Sequence, residues 1–511
     1  MKPAFLLLLL LSCAAPFEGS SLRPNILLVL VDDLGWQDSS VPFTPEATPL
    51  NHRWSTPHLL RLAQEGIRFT NAYAAAPVCT PTRTSILTGQ SPGATHITYW
   101  TQYKDTDTSR AHPTLQPPEW NMNGLDQNDV TLPGLLADVG YQTIHVGKAH
   151  FGAKGAAGED PLNLGFTVNI AGHAAGAPGS YLGTDYFSAA RRAGNPEGKT
   201  YWDVPGLEPW HGRDVFLTET LAEEAAGAIK TAVAAGKPFF MNFAPYAVHT
   251  PIMANPSLLH HYDELDEREA AYGTMIESVD RALGTLMTTL EELGVLDQTV
   301  IVLTSDNGGL SAHARGSAPD GTTQHHHNAP LKSGKGSAYE GGLRVPMIAR
   351  WPGVVSPGQW SHTPVISQDL FPTFLAWAEI TIPPDTAPLV EGIDFTPLLL
   401  GDDASHLETR DLFWHQPHQW GASGPGIWPF SAVRHGQWKL IYRHGDQGLE
   451  LYNLESDIGE AHDLAKERPD ITTDLAERLS RWIEGVDAQM SLEKEGGRPI
   501  PLPRNTGKEG Y

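Results

Sequence analysis

The chain has 511 residues, 35 Lys and Arg against 59 Asp and Glu, and a net charge of -24. That length buries a large core and, at ~150 residues per domain, divides into about two to four units, while the acidic balance repels nucleic-acid phosphates and excludes that class of partner. Apolar residues at 40%, charged residues at 18%, 50 Gly and 41 Pro describe a loop-rich globular protein and exclude a disordered or fibrous one. An anionic ligand would need a local island of positive charge or a metal ion.

Lys2, Phe5, the leucines Leu6 to Leu11 and the small residues Ser12 to Ala15 form a basic, apolar and cleavable leader, so residues 1–20 read as a signal peptide. Export to a periplasmic or secreted location follows. The apolar run is shorter than the ~20 residues of a membrane span, and no later run qualifies. Leu10-Leu11-Ser12-Cys13 also fits a lipobox, in which Cys13 becomes a lipid anchor to the membrane; ordinary cleavage is the alternative. Cys13 and Cys79 are the two cysteines, so the processed body keeps one thiol and forms no internal disulfide.

Along the body, Ile26 to Val31 is a continuous β-favouring run, the pattern of a strand buried on both faces, and it ends in Asp32-Asp33. Start and stop signals predict helices from Thr56-Pro57 to Gly66, from Cys79 to Gly89, from Asp214 to Gly236 and from Asp263 to Gly294. Tyr141 to Val146 is a second strand and delivers Lys148 and His150. Pro238 to Phe243 is a third and leads to His249. Thr299 to Thr304 is a fourth and ends in Ser305-Asp306-Asn307-Gly308-Gly309. Strands alternating with helices predict an α/β fold, a large, mostly parallel sheet sandwiched by helices, with ligands bound beyond the carboxyl ends of the strands. The Gly- and Ala-rich stretches 152–158 and 172–183 are expected as loops over that face. From residue 405 the pattern changes to short runs around Val433, Leu440 and Leu451, an antiparallel meander, then a helix near Asp470 to Met490. The tail after Glu493 is expected as an exposed strap or a disordered end. The expected units are therefore residues 21–404 and an α+β subdomain with its tail at 405–511.

Cys79-Thr80-Pro81-Thr82-Arg83 opens the second of those helices, where free amides and the helix dipole favour an anion and Arg83 lies on the same face as Cys79. The segment resembles the type I sulfatases of the alkaline phosphatase superfamily, which carry Cys or Ser-x-Pro-Ser/Thr-Arg and a later Thr-Gly, here Thr88-Gly89. Thr82 stands where Ser is commoner. The resemblance is strongest to bacterial glycan-degrading sulfatases and spans about residues 23 to 465. It implies an alkaline-phosphatase-like fold with a small C-terminal unit, and oxidation of Cys79 by a maturation enzyme to Cα-formylglycine. Asp32, Asp33, Asp306 and Asn307 match the metal-binding pairs, with position 79 as a further ligand. Lys148 and His150 match Gly-Lys-x-His, His249 matches the histidine of Pro-x-x-x-His, and Lys335 matches the lysine of Lys-Gly-x-x-Tyr-Glu-Gly-Gly.

The oxygen-rich set of Asp32, Asp33, Asp306 and Asn307 argues for Ca2+, with Mg2+ as the alternative, over zinc. In the mechanism the resemblance implies, one hydroxyl of the hydrated aldehyde attacks sulfur, Arg83, Lys148 and Lys335 stabilise the transferring group, His249 with Lys335 protonates the leaving oxygen, and His150 takes a proton from the second hydroxyl. Taken singly, Lys148 reads as a solvated charge and His249 as a turn residue before Pro251. His325-His326-His327 reads as a metal-binding tract or an exposed, substrate-facing loop. Tryptophans, 14 in all, read first as packing residues and second as sugar platforms. Three functions remain open at this level: a sulfatase acting on sulfated sugars or polysaccharides, a phosphate or phosphonate ester hydrolase of the same superfamily, and a sulfated-glycan binding protein in which Cys79 stays a thiol.

Overall fold

The computed structural model describes residues 23–316, 325–421 and 424–506; the expected signal segment with Cys13, and residues 507–511 of the tail, lie outside them. The first half of the chain contributes β1 (Asn25–Val31), α1 (Pro57–Glu65), β2 (Ile67–Phe69), α2 (Cys79–Thr88), α3 (Leu132–Asp138), β3 (Gln142–Gly147) and β4 (Val168–Ile170). After these come α4 (Leu217–Ala234), β5 (Phe239–Ala244), α5 (Glu267–Glu292), β6 (Thr299–Ser305), β7 (Met347–Arg350), β8 (Gln359–Ser361) and α6 (Leu370–Trp377). The eight strands form one sheet in the order β8-β2-β7-β6-β1-β5-β3-β4. All its pairings are parallel except the two made by β7.

The continuous apolar run of β1 explains its central place. Leu27, Val29 and Val31 enter one core, where α1, α4 and α5 pack, and Ile26, Leu28 and Leu30 enter the other, where α3 and α6 pack. Every one of these six side chains is buried, each contributing ~1.5–3 kcal/mol of apolar transfer free energy. Parallel pairing of β1 with β6 in register, Val31 opposite Ser305, brings Asp32-Asp33 and Asp306-Asn307 to one edge. β3 and β5 run beside them, so Lys148, His150 and His249 leave the sheet on the same side.

A separate antiparallel sheet runs β9 (Asp411–Gln416), β10 (Phe430–His435), β11 (Trp438–Arg443) and β12 (Leu449–Asn453) in sequence order. One face packs Trp414, Phe430, Ala432 and Ile441 on Tyr73, Leu343 and Ile366 of the large unit. The other is covered by α7 (Pro469–Gly485) through Leu475, Leu479 and Ile483. Of the two expectations for the tail the strap holds: residues 494–499 are exposed, after which Ile500 is buried, the Tyr442 hydroxyl donates to the Pro501 carbonyl, and the Arg504 amide donates to Ser480 Oγ, so apolar contact and hydrogen bonds strap it to the subdomain. Helix α7 also ends at Gly485, short of Met490.

Candidate active site

Helix α2 is buried along its whole length and terminates at Gly89, whose positive φ of 72° lets its amide reach the Ser85 carbonyl. Cys79, its first residue, is therefore fixed at the edge where the strands end. Its Sγ lies 3.8 Å from Asp32 Oδ1 and accepts from Lys335 Nζ at 3.3 Å. One turn on, Arg83 donates from Nε to Asp306 Oδ2 and from Nη1 to the Lys148 carbonyl, both at 2.7 Å, while Nη2 is buried without a hydrogen-bond partner.

Three buried carboxylates are matched by three buried cations. Lys148 Nζ donates to Asp32 Oδ2 at 2.7 Å and stands 3.9 Å from Asp306 Oδ2. Lys335 Nζ grips both oxygens of Asp33, at 2.6 and 2.9 Å, and Asn307 Nδ2 donates to the same carboxylate at 2.7 Å. The two neighbouring aspartates consequently titrate in opposite directions. Burial raises Asp32 more than Lys148 lowers it, and the nearby carboxylates of Asp306 and Asp33 add to the rise. Burial also opposes ionisation of Asp33, but the dedicated Lys335, with His249, holds it well below the usual carboxylate range. For Asp306, burial is likewise overcome by Arg83, and its carboxyl is lowered.

The two histidines have distinct faces. His150 Nε2 meets the Thr101 carbonyl at 3.0 Å and so carries the proton, leaving Nδ1 as a buried lone pair with no partner. Burial and then Lys148 push this imidazole well below its ordinary value, which keeps it neutral and able to accept a proton. His249 directs Nδ1 to the Thr250 carbonyl at 2.8 Å and Nε2 toward Asp33 Oδ2 at 3.6 Å. Burial and Lys335 lower it, against the pull of Asp33. Asp33 and His150 also hold positive φ angles, 61° and 53°, a strained conformation for residues with a Cβ that is found where the surrounding fold over-determines a site.

Oxygen, nitrogen and sulfur donors of Asp32, Asp33, Cys79 and His249 all lie within 4.8 Å of one another, and the buried Asn307 Oδ1 has no hydrogen-bond partner. The oxygen donors of this set, the Asp32 and Asp33 carboxylates with the Asn307 amide oxygen, fit a hard divalent cation. His249 joins this compact group, whereas Asp306 borders it, engaged with Arg83 and with the Asp33 amide at 3.2 Å.

Cys79 opens onto a cavity of about 430 Å³ that is also lined by His150, His249, Lys335, Arg192 and the tryptophans Trp100, Trp202 and Trp420. A larger depression of about 980 Å³ lies elsewhere, beside Arg344, Trp360 and Arg434, and touches none of the ten residues singled out in the sequence. The chemistry therefore belongs to the smaller cavity. Of the two Gly-rich stretches, 172–183 reaches it through Gly176 and Gly179; no residue of 152–158 lines it. Its aromatic wall has no local sequence signal, because the three tryptophans come from separate loops and Arg192 from the end of the short helix Ala189–Arg192. His325 borders an adjoining cavity and not this one.

A family model described as Sulfatase matches residues 24–380. The chain belongs to the sulfatase family. A second model, N-sulphoglucosamine sulphohydrolase, C-terminal, matches residues 334–485. A sulfatase of Formosa agariphila is 28% identical over 98% of this chain and 96% of its own length. The human N-acetylgalactosamine-6-sulfatase is 33% identical over 78% of this chain and 69% of its own. Among solved structures, Ps i-CgsB in complex with k-i-k-neocarrahexaose has a TM-score of 0.73 at 26% identity, covering 90% of this chain and 93% of that one. The PsFucS1 sulfatase of Pseudoalteromonas sp. shares the fold, with a TM-score of 0.67 at 23% identity over 94% and 92%. The protein is a sulfuric ester hydrolase with the alkaline-phosphatase-like fold of these enzymes.

Proposed function

We propose that this sulfatase is an exported enzyme that removes sulfate from sulfated sugars or polysaccharides, using Cα-formylglycine made from Cys79 by a maturation enzyme and a Ca2+ ion, with Mg2+ as the alternative metal. Sugar chemistry is supported by the relatives and by the three tryptophan faces around Cys79, which suit stacking on sugar rings. Export rests on the leader at residues 1–20, with Cys13 as a lipid anchor in the alternative processing route. The observation that carries the reading is the gathering of Arg83, Lys148 and Lys335, from three distant segments, around the one cysteine of the body and beside three carboxylates.

The hydrated aldehyde supplies an oxygen nucleophile and a second hydroxyl group. Asp32, Asp33, Asp306, Asn307 and residue 79 would hold the cation, which supplies charge neutralisation where sulfate meets carboxylates. The Arg83, Lys148 and Lys335 cations bind the sulfate oxygens and stabilise charge on the transferring group. As the bond from sulfur to the sugar oxygen breaks, that oxygen takes the Nε2 proton of His249 in its imidazolium form, which the Asp33 carboxylate favours, with Lys335 assisting, because a sugar alkoxide leaves poorly unprotonated. His150 Nδ1 then accepts the proton of the second hydroxyl, whose oxygen returns to the aldehyde carbonyl as the carbon–oxygen bond to sulfate breaks and sulfate leaves.

Peptide mass spectrometry of position 79, on protein produced together with its maturation enzyme, tests the reading alongside initial rates on paired sulfate and phosphate esters. Formylglycine and a preference for sulfate are expected. Turnover by protein carrying only cysteine at position 79, or a preference for the phosphate ester, would refute it.

A further inference from the structure

Lys335 and Trp420 form part of the wall of the cavity around Cys79. On the other side of this lysine and Trp420 lies a second cavity of about 300 Å³, lined by Arg110, Ser311, His313 and His325 together with Lys335 and Trp420 themselves. Lys335 and Trp420 thus belong to both cavities. The indole is held rigidly: Lys335 Nζ stands 5.6 Å from its ring, His313 meets it edge-on at 6.5 Å, and a Cβ at Gly336 would come within 1.9 Å of Trp420 Cδ1, so the ring lies flush on the backbone.

Charge distinguishes this annex. In a chain of net charge -24, no carboxylate lines it among the described residues, while the Arg110 guanidinium, the Lys335 ammonium that pairs with Asp33, and two imidazoles that burial keeps neutral do. Arg110 is exposed, and among the described residues no acidic group pairs with it. Its backbone is nevertheless held, because it pairs with Gln419, next to Trp420, and the preceding Ser109 Oγ sits 2.7 Å from His418 Nδ1. An arginine on a held backbone, with no acidic partner among the described residues, at a cavity that shares the wall of Lys335 and Trp420 with the reaction cavity, is suited to receive a second anion.

We propose that Arg110, with His313 and His325, forms a subsite for an anionic group on the sugar next to the one being desulfated, so that the preferred substrate is an oligosaccharide carrying a second sulfate or a carboxylate one ring away. Arg110 is then a specificity-determining residue. This rests on the sulfatase reading above and adds to it the substrate's charge pattern.

Three disaccharides that share the same sulfated ring test it, the neighbouring ring being neutral, sulfated or a uronate. The matured enzyme is expected to show a kcat/KM about tenfold higher for one of the charged disaccharides than for the neutral one, the advantage residing in KM and shrinking with added salt, as for one charge-assisted contact at a partly solvated site. Arg110→Gln should bring the ratio of charged to neutral kcat/KM close to one, and Arg110→Lys should restore part of it. The better charged partner identifies the group as sulfate or carboxylate. Equal kcat/KM on all three disaccharides, or an advantage that Arg110→Gln leaves intact, overturns the subsite while leaving the sulfatase reading standing. Turnover of none of the three, or of any simple sulfate ester, overturns both.

Discussion

Gly176 offers a direct test of the part assigned to His150. It borders the reaction cavity from the loop at 172–183, and a Cβ built there would lie 2.4 Å from His150 Cε1 and 2.7 Å from Nδ1. Ordinary contact begins near 3.4 Å, so Gly176→Ala must displace the imidazole by about 1 Å, at an overpacking cost of ~1–3 kcal/mol. Backbone strain adds nothing, because Gly176 is not among the residues of positive φ. The displaced atom is the unpartnered Nδ1 that accepts the proton in our mechanism. A misplacement of about 1 Å lowers a rate roughly 10²-fold, and the loss should appear in kcat, with KM little changed, because the sulfate-binding cations are not moved. Steady-state kinetics on a chromogenic sulfate ester, paired with thermal unfolding to show that the variant is folded, provide the measurement. A folded Gly176→Ala enzyme with wild-type kcat would refute the role given to His150.

Chelation of divalent ions should abolish turnover and added Ca2+ should restore it, while Asp306→Ala should remain inactive at any Ca2+ concentration; undiminished activity in chelator contradicts the metal assignment. The subdomain buries three histidines in neutral form: burial lowers His415 to about 4, His418 to about 3 and His444 well below its ordinary value. Folded values below the unfolded one mean that this stability is complete above pH 6.5 and is lost as pH falls, by ~1.4 kcal/mol per histidine at pH 5.5. Denaturant titrations of His444→Gln from pH 7.5 to 5.5 should therefore show a slope flatter by about one proton, and an identical slope refutes the linkage. Lys439→Met leaves the buried Glu340 and Glu460 without the ammonium that bridges them at 2.8 and 2.9 Å, a loss of ~3–5 kcal/mol, and an unchanged unfolding midpoint would show that the bridge is not structural.

Much of the sheet was legible because its information is local. Uninterrupted runs such as Ile26 to Val31 and Thr299 to Thr304 have the signature of strands buried on both faces, and each is followed directly by the polar residues it delivers. Helix α2 was legible from Pro81 and Gly89. Backbone conformation was not: nothing in the types Asp33 and His150 announces a left-handed residue, which tertiary contacts impose. Nor was the cavity wall, since a tryptophan packs equally well in a core, and Trp100, Trp202 and Trp420 share only their final positions. The proximity of His249 to the metal-type donors was hidden for the same reason, its distance to Asp33 being set by the packing of β5 against β1.

Lys335 shows why the resemblance reaches so far past the catalytic strands. It lies on an irregular segment, where secondary structure alone would not position an ammonium, and three ties hold that segment. The Lys335 amide donates to the Gly309 carbonyl beyond Asp306, and the Gly336 amide donates to the Pro77 carbonyl just before Cys79, so the loops bearing nucleophile, lysine and metal ligand are joined through backbone hydrogen bonds. The third tie comes from the subdomain: Glu460 accepts from the Glu340 amide at 2.7 Å, and Lys439 of β11 bridges both carboxylates. Arg344 Nε and the Tyr73 hydroxyl donate to the remaining oxygen of Glu340, each at 2.7 Å. Glu340 and Lys439 both fall within the span of the family resemblance, yet neither reaches the reaction cavity. Their chemistry is positional: a buried ion network fixes the C-terminal sheet to the segment that presents Lys335, and the catalytic cation depends on a subdomain that contributes no charged group to the cluster around Cys79, only the ring of Trp420.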